Sequence, residues 1–195
     1  MLSRTLRLIR DRIAIARDPI AFARHLGVRV GEGCRLIGID RSTFGSEPYL
    51  VSIGDHVTIT AGVRFVTHDG GVWVLRTRHP DIDVVGRITI GSNVFIGLNA
   101  ILLPGIRVAD DSVVGAGAVV ARDVPAGSVV AGAPARVVRT IEEYETEALK
   151  KALHVRGLRP EEKRRVFLKQ TESRATSSPR ADADMAESGG DTGTK

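Results

Sequence analysis

His68, in the tripeptide Thr67-His68-Asp69, is the side chain best suited to proton transfer, because an imidazole can take or give a proton near neutrality. A histidine beside an aspartate is equally a common structural pair. Adjacent side chains on extended backbone point to opposite faces, so Asp69 is one candidate to orient His68, and a backbone carbonyl or a distant residue is another. A second group of residues has the chemistry to bind anions. Arg122 in VVARDVP, with Arg136 and Arg139 in APARVVR, offers planar guanidinium groups that grip phosphate through several directed hydrogen bonds, or simply solvated charge. A third group, Trp73, Arg76, Arg78, His79 and Asp83, mixes aromatic, cationic and anionic chemistry in one short segment. The Gly70-Gly71 pair next to His68 admits close approach of a ligand or backbone, or makes a turn.

These residues need a scaffold, and the chain supplies one as a repeat. Ile90, Ile96, Leu102, Val108, Val114 and Val120 each open a six-residue unit, in unbroken succession. A period of six fits neither an α-helix nor a simple alternating strand. It suits a triangular coil in which three units make one turn and each side contributes one inward anchor. The small residues after the anchors, Gly54, Gly91, Gly97 and Gly115, are expected to form the tight corners. An earlier group in the same phase starts at Ile53, and VGEGCR at Val30 marks the first coil. Between Phe65 and Ile90 the spacing is not a multiple of six, so residues 66–89 are expected to leave the coil as an excursion, with His68 near its start. Loops on rigid scaffolds often carry function.

Outside the repeat, residues 2–17 place Leu2, Leu6, Ile9 and Ile13 at helical spacing, with Arg4, Arg7, Arg12 and Asp11 mostly on other faces. Such a helix caps or flanks the solenoid, or lies on a membrane surface. Pro19 breaks or restarts it before Gly27. After Val124 the repeat dissolves, helices are expected at Ile141–Val155 and Pro160–Gln170, and the polar residues 171–195 are expected to be disordered, with no chemistry assigned to them. The organisation expected is therefore a helical segment at 1–27, a solenoid at 28–140, helices at 141–170 and a tail.

With 195 residues there is room for one domain with a real core and short appendages. Aromatic residues make up only 4%, so the interior must be built from small and β-branched side chains. The single Cys34 excludes an intramolecular disulfide and reads as a small buried hydrophobe. No apolar run approaches the roughly 18 residues of a membrane span, and a secretory signal is not evident, so a soluble cytoplasmic protein is expected. The net charge of +5 comes from clusters at the two ends and around Arg76 and Arg78, without interleaved aromatics. That argues against nucleic acid and suits a phosphate-rich small molecule or an anionic membrane.

The hexad ladder, Thr67-His68-Asp69 at the excursion and the closing VGAGAVVARDVPAGSVVAGAPARVVR together resemble the hexapeptide-repeat acyltransferase family. The likeness is nearest to sugar O-acetyltransferases of the galactoside, maltose and capsular-polysaccharide type, and covers roughly residues 25 to 140. The resemblance implies a left-handed parallel β-helix, although left-handed winding opposes the usual right-handed crossover. It implies a homotrimer with active sites between subunits, acetyl-CoA as donor, and a hydroxyl of a sugar or polysaccharide precursor as acceptor. His68 matches the family's general base. A backbone N–H near Gly97 would steady the developing oxyanion, the other reading of Gly97 being a coil corner. Leu98, Ala116 and Ala121 match positions that touch CoA largely through backbone, and Arg122, Arg136 and Arg139 match its basic contacts. The family usually has Lys at Arg122, so the charge is kept and its geometry altered. Asp69, Trp73, Arg76 and His79 are candidates for acceptor recognition, Trp73 either stacking on a sugar ring or anchoring its loop. An enzyme of this kind would be cytoplasmic, with its N-terminal helix free to rest on the inner face of the membrane.

Three rivals remain. γ-Class carbonic anhydrases use the same fold with metal-binding histidines, and His56 and His68 share a hexad position, but the closely spaced histidine pair is missing and no metal is expected. A non-catalytic scaffold is the second. N-acetylation of an amino-sugar is the third.

Overall fold

The computed structural model describes residues 4–177, with side-chain environments for 6–172. Inward-facing residues at the six-residue period wind the chain into a three-sided parallel β-helix. Its first turn holds β1 (Arg29–Val30) and β2 (Arg35–Leu36). The second holds β3 (Val51–Ile53), β4 (Thr58–Ile59) and β5 (Arg64–Phe65); the third holds β6 (Ile88–Ile90), β7 (Phe95–Ile96) and β8 (Ile101–Leu102). The fourth holds β9 (Arg107–Val108), β10 (Val113–Val114) and β11 (Val119–Val120), and β12 (Ser128–Ala131) and β13 (Arg136–Thr140) follow. The strands stack into three faces, ordered β1-β3-β6-β9, β2-β4-β7-β10-β12-β13 and β5-β8-β11. All pairings are parallel except β12 with β13, which is antiparallel. The solenoid expected to reach residue 140 therefore stops at β12, and the last strand turns back along its edge.

Register reports where the coil is regular. Val114 pairs with Ile96 and Val120 with Leu102, each one 18-residue turn away. Phe65 pairs with Leu102 across 37 residues, because the excursion intervenes, and Leu36 with Ile59 across 23, because the segment 37–50 carries extra residues. Phe44, fully buried in that segment, stacks 5.4 Å from Phe65 and completes the third face of the first turn.

Each unit buries two side chains, so the expectation of one anchor per side is half of the rule. The leading residues from Ile90 to Val120 are at most 2% exposed, and the fourth residue after each, Val94, Ala100, Ile106, Ser112, Ala118 and Val124, is buried as well. Ser112 is tolerated there because its hydroxyl donates to the carbonyls of Asp110 and Pro125. Cys34 occupies the same inward position in the first turn and is buried, as its sequence suggests.

The corners also differ from expectation. In the regular units the residue that turns the chain is the third after the anchor, held in left-handed backbone: His56, Asn93, Asn99 and Asp111 have φ of 54 to 57°. The glycine directly after an anchor serves another need. A Cβ on Gly97 would lie 2.6 Å from the Ala116 nitrogen, so glycine there lets successive coils approach.

At the N-terminus Pro19 restarts rather than ends the helix. Helix α1 (Arg4–Arg17) stops, Asp18 accepts hydrogen bonds from the Ile20 and Ala21 amides at 3.0 and 2.9 Å, and α2 (Pro19–Leu26) begins. Phe22 and Ala23 of α2 join the core and close the end of the coil. Leu2 lies outside the described residues. Helix α3 (Ile141–Lys151) ends short of Val155, whereas α4 (Pro160–Ser177) continues through 171–177, residues expected to be disordered. The remainder of the tail, 178–195, lies outside the described residues. The chain to Lys150 forms one compact unit, and the chain from Lys151 a second. Among the described residues no helix is long and apolar enough to cross a membrane.

Leu102 is fully buried at the centre of the third face. Leu102→Ala should destabilise the protein by about 2–5 kcal/mol, read as a lower urea midpoint with the transition slope unchanged.

Candidate active site

The excursion leaves the coil after β5 through a short antiparallel neck. His68 bridges Val85, the Asp69 amide donates to the Val84 carbonyl at 2.8 Å, and the Gly86 amide donates to the Thr67 carbonyl at 2.9 Å. This neck fixes the backbone of His68 on a rigid edge and leaves its side chain 38% exposed.

Glu47 orients the imidazole. Its Oε2 lies 3.1 Å from His68 Nδ1 and accepts a hydrogen bond of 2.6 Å from the fully buried Thr67 hydroxyl. With the proton on Nδ1 donated to Glu47, Nε2 carries the lone pair. The Thr67 hydroxyl, and then His68, hold the Glu47 carboxyl below its ordinary value of 4.5, against the opposing effect of burial. Glu47 therefore presents a carboxylate to the ring at neutral pH.

The segment that delivers Glu47 is pinned at several points. Arg64 of β5 makes a two-pronged contact with Asp40, at 2.9 and 3.0 Å, and the buried Thr43 accepts from the Asp40 amide. Gly45, at φ +70°, passes so close to β5 that a Cβ would meet the Phe65 carbonyl and the Thr67 hydroxyl at 2.7 Å. Pro48 then opens a short 3-10 turn, Pro48–Leu50, that leads into β3. Residue types alone did not point to Glu47. The signal available was its place in a segment that also slips out of hexad phase.

Asp69 does not orient His68: its carboxylate accepts from the Gly71 amide at 2.8 Å and caps a 3-10 turn over Gly70–Leu75. In that turn the buried residue is Val72, and Trp73 is 72% exposed, so Trp73 is not the anchor of its loop within this chain. Arg76 pairs with Asp83 across the excursion at 3.5 Å, and its buried Nε has no hydrogen-bond partner among the described residues. His79 is exposed, its amide bound to the Leu75 carbonyl.

Gly97 was expected near an oxyanion donor, but its N–H is already given to the Val114 carbonyl at 2.8 Å. The expectation concerned a backbone N–H near Gly97, and the Gly97 amide itself serves the stacking of coils. Leu98 and Ala116 are exposed at successive levels of the corner that leads onto the third face. Ala121 and Arg122 follow β11 on the same edge from which the excursion leaves, two coils above. Two coil spacings amount to roughly 10 Å along the axis. Arg122 and Arg136 line one cleft of about 190 Å³ with Asp123, Val120, Ala135 and Val137. Arg139 instead lines a separate surface depression with Val138 and Glu143.

His56 shares a hexad position with His68 and has a different role. It turns a corner, and its Nδ1 lies 2.8 Å from Asn93 Oδ1 in a ladder that Asn93 continues to Asp111. Among the described residues no three His, Cys, Asp or Glu side chains gather in an arrangement that could hold a metal ion.

A family model described as the hexapeptide repeat of succinyl-transferase matches residues 87–122. Protein CapG of Staphylococcus aureus is 53% identical over 141 residues, which cover 72% of this chain and 82% of that protein. Galactoside O-acetyltransferase of Escherichia coli is 37% identical over 102 residues, covering 50% of this chain and 47% of the enzyme. A solved hexapeptide-repeat acetyltransferase from Vibrio cholerae superposes with a TM-score of 0.51 at 25% identity, over 64% of this chain and 80% of that one. The same protein complexed with acetyl coenzyme A superposes with a TM-score of 0.52 at 24% identity, over 67% and 83%. The three-sided coil is thus the left-handed parallel β-helix, and the chain belongs to the hexapeptide-repeat acetyltransferase family.

Proposed function

We propose that this protein moves an acetyl group from acetyl-CoA to a hydroxyl of a sugar or polysaccharide precursor, with His68 as general base. The observation that carries this reading is the Thr67–Glu47–His68 chain of hydrogen bonds at the root of the excursion. A hydroxyl attacks a thioester only as it loses its proton, and His68 Nε2 is the basic atom available to take it. The Glu47 carboxylate then stabilises the imidazolium that forms, in the way a buried acid supports a catalytic histidine elsewhere. The proton passes from His68 to the departing thiolate sulfur, which returns the ring to its starting state.

Acetyl-CoA is the acyl donor, and it supplies an activated thioester. The exposed cleft shared by Arg122 and Arg136 suits its phosphates, since guanidinium groups hold such oxygens in pairs. Leu98 and Ala116 at one edge of the third face, and Ala121 at its other edge, are surface positions that fit a long flexible ligand lying against the coil. A hydroxyl acceptor is supported by the likeness to a galactoside O-acetyltransferase, of which this chain spans about half. Trp73 and His79, exposed on the excursion, are the side chains we assign to the acceptor, with Asp69 and Arg76 shaping the loop that presents them.

We assign the working form as a cytoplasmic homotrimer with active sites between subunits. Trp73, Val74, Val84 and Val85 are 72, 74, 48 and 55% exposed on the excursion of a single chain, an apolar surface suited to a neighbouring copy. Val74→Asp together with Val85→Asp should convert a trimer to monomers in analytical ultracentrifugation.

Incubating the protein with acetyl-CoA and a panel of free, nucleotide-linked and lipid-linked sugars should yield free thiol and an acceptor heavier by one acetyl group. His68→Ala should lower that rate by about 10²–10⁴-fold while leaving the fold intact by circular dichroism. Unchanged turnover would remove His68 from the chemistry, and an acetylated amine in the product would replace O-transfer by N-transfer. Glu47→Gln should lower the rate by less, and should also lower stability at neutral pH. A carboxyl with a depressed value stabilises the fold only while ionised, so the stability gap between Glu47→Gln and the unmodified chain should narrow as pH falls below 4.5 through the lowered Glu47 value. Urea midpoints measured across that range read the effect.

A further inference from the structure

Helix α1 has two faces with different chemistry. One is fastened to the solenoid: Asp11 is 6% exposed and accepts a hydrogen bond of 2.9 Å from Arg41, while Ala14 and Ile15 pack against the core. The opposite face carries Leu6, Ile9 and Ile13, which are 53, 51 and 63% exposed. At helical spacing these three fall within about 60° of arc and form a continuous stripe. Arg10 and Arg17 lie along one edge of the stripe and Arg12 along the other, all exposed. The one acidic residue of α1, Asp11, is turned away from it into the ion pair with Arg41.

An apolar stripe bordered on both edges by guanidinium groups matches the boundary of an anionic bilayer, where acyl chains take the stripe and headgroups take the charges. Symmetric pairing of two such helices would instead set arginine against arginine. The helix is also fixed in place by the Asp11–Arg41 pair, so its outward face is presented rather than loosely tethered. We infer that α1 is a docking surface for anionic phospholipid, which holds this acetyltransferase on a membrane without spanning it.

The test uses the full chain and sedimentation with phosphatidylglycerol–phosphatidylcholine vesicles, against vesicles of phosphatidylcholine alone. Binding is expected to the anionic vesicles, to weaken with added salt, and to fall by roughly tenfold or more both in Ile9→Asn/Ile13→Asn and in Arg10→Gln/Arg17→Gln. All four positions are exposed, so the variants should melt with the parent protein, and acetyl transfer to a water-soluble acceptor should be unaffected. Absence of binding to anionic vesicles, or equal binding by parent and variants, would overturn the inference. So would a drop in sedimenting mass of the Ile9→Asn/Ile13→Asn protein without lipid, because the stripe would then be a contact between copies.

Discussion

A coil only six residues to a side can close on itself because its corners accept a left-handed backbone that most residues avoid. Asn93, Asn99 and Asp111 take this conformation with short polar side chains, and Gly62, Gly105 and Gly117 take it without a side chain at all. Turning at the third residue brings the fourth back toward the axis, which is why each unit buries two side chains. The narrow interior then favours aliphatic residues at the anchor position, Phe65 being the exception where Phe44 packs on it, and smaller ones, such as Ala100, Ala118 or Ser112, at several of the others. Close stacking of coils adds a third demand, met by Gly97 against Ala116. Scarcity of aromatic residues follows from the same geometry.

The candidate site stands where this rule lapses. His68 falls on the third position after Phe65, where a corner would be due, but the chain runs on into the neck of the excursion and pairs with Val85. His56, at the equivalent position in the same turn, does make its corner. A rigid ladder on one side and a short two-stranded neck on the other thus hold the imidazole with few degrees of freedom. Glu47 reaches it through a second lapse, the extra residues of 37–50, anchored to β5 by Asp40 and Arg64. Both departures from the period meet at one edge of the third face, and the general base of the proposed reaction lies there.

Distribution of charge supports a division of labour along the axis. The cleft of Arg122 and Arg136 lies near the far end of the coil, the imidazole two coils below, and α1 and α2 near the beginning. Donor binding, proton transfer and membrane docking would then use different levels of one scaffold, so that altering one leaves the others in place. A regular solenoid suits this arrangement because each coil contacts mainly its neighbours.

The period of six determined the scaffold: from Ile53 to Val120 every anchor named by spacing is buried, and the excursion begins where the spacing fails. Sequence also singled out His68, through its place at the start of the excursion and the family resemblance of Thr67-His68-Asp69, and its role as general base is the proposal. It could not supply the partner of that histidine. Glu47 is 21 residues away, and its approach depends on the Asp40–Arg64 contact, the tight passage of Gly45 and the buried Thr67 hydroxyl, none of which has a local signature. Asp69, the neighbour that adjacency favoured, spends its carboxylate on the backbone of its own turn. Gly97 likewise gives its amide to the next coil. Repetition is legible in one dimension because it is enforced at every turn by the same packing. The hydrogen bonds of the site arise once, between segments that meet only after the coil has stacked, and so they were decided by the tertiary structure.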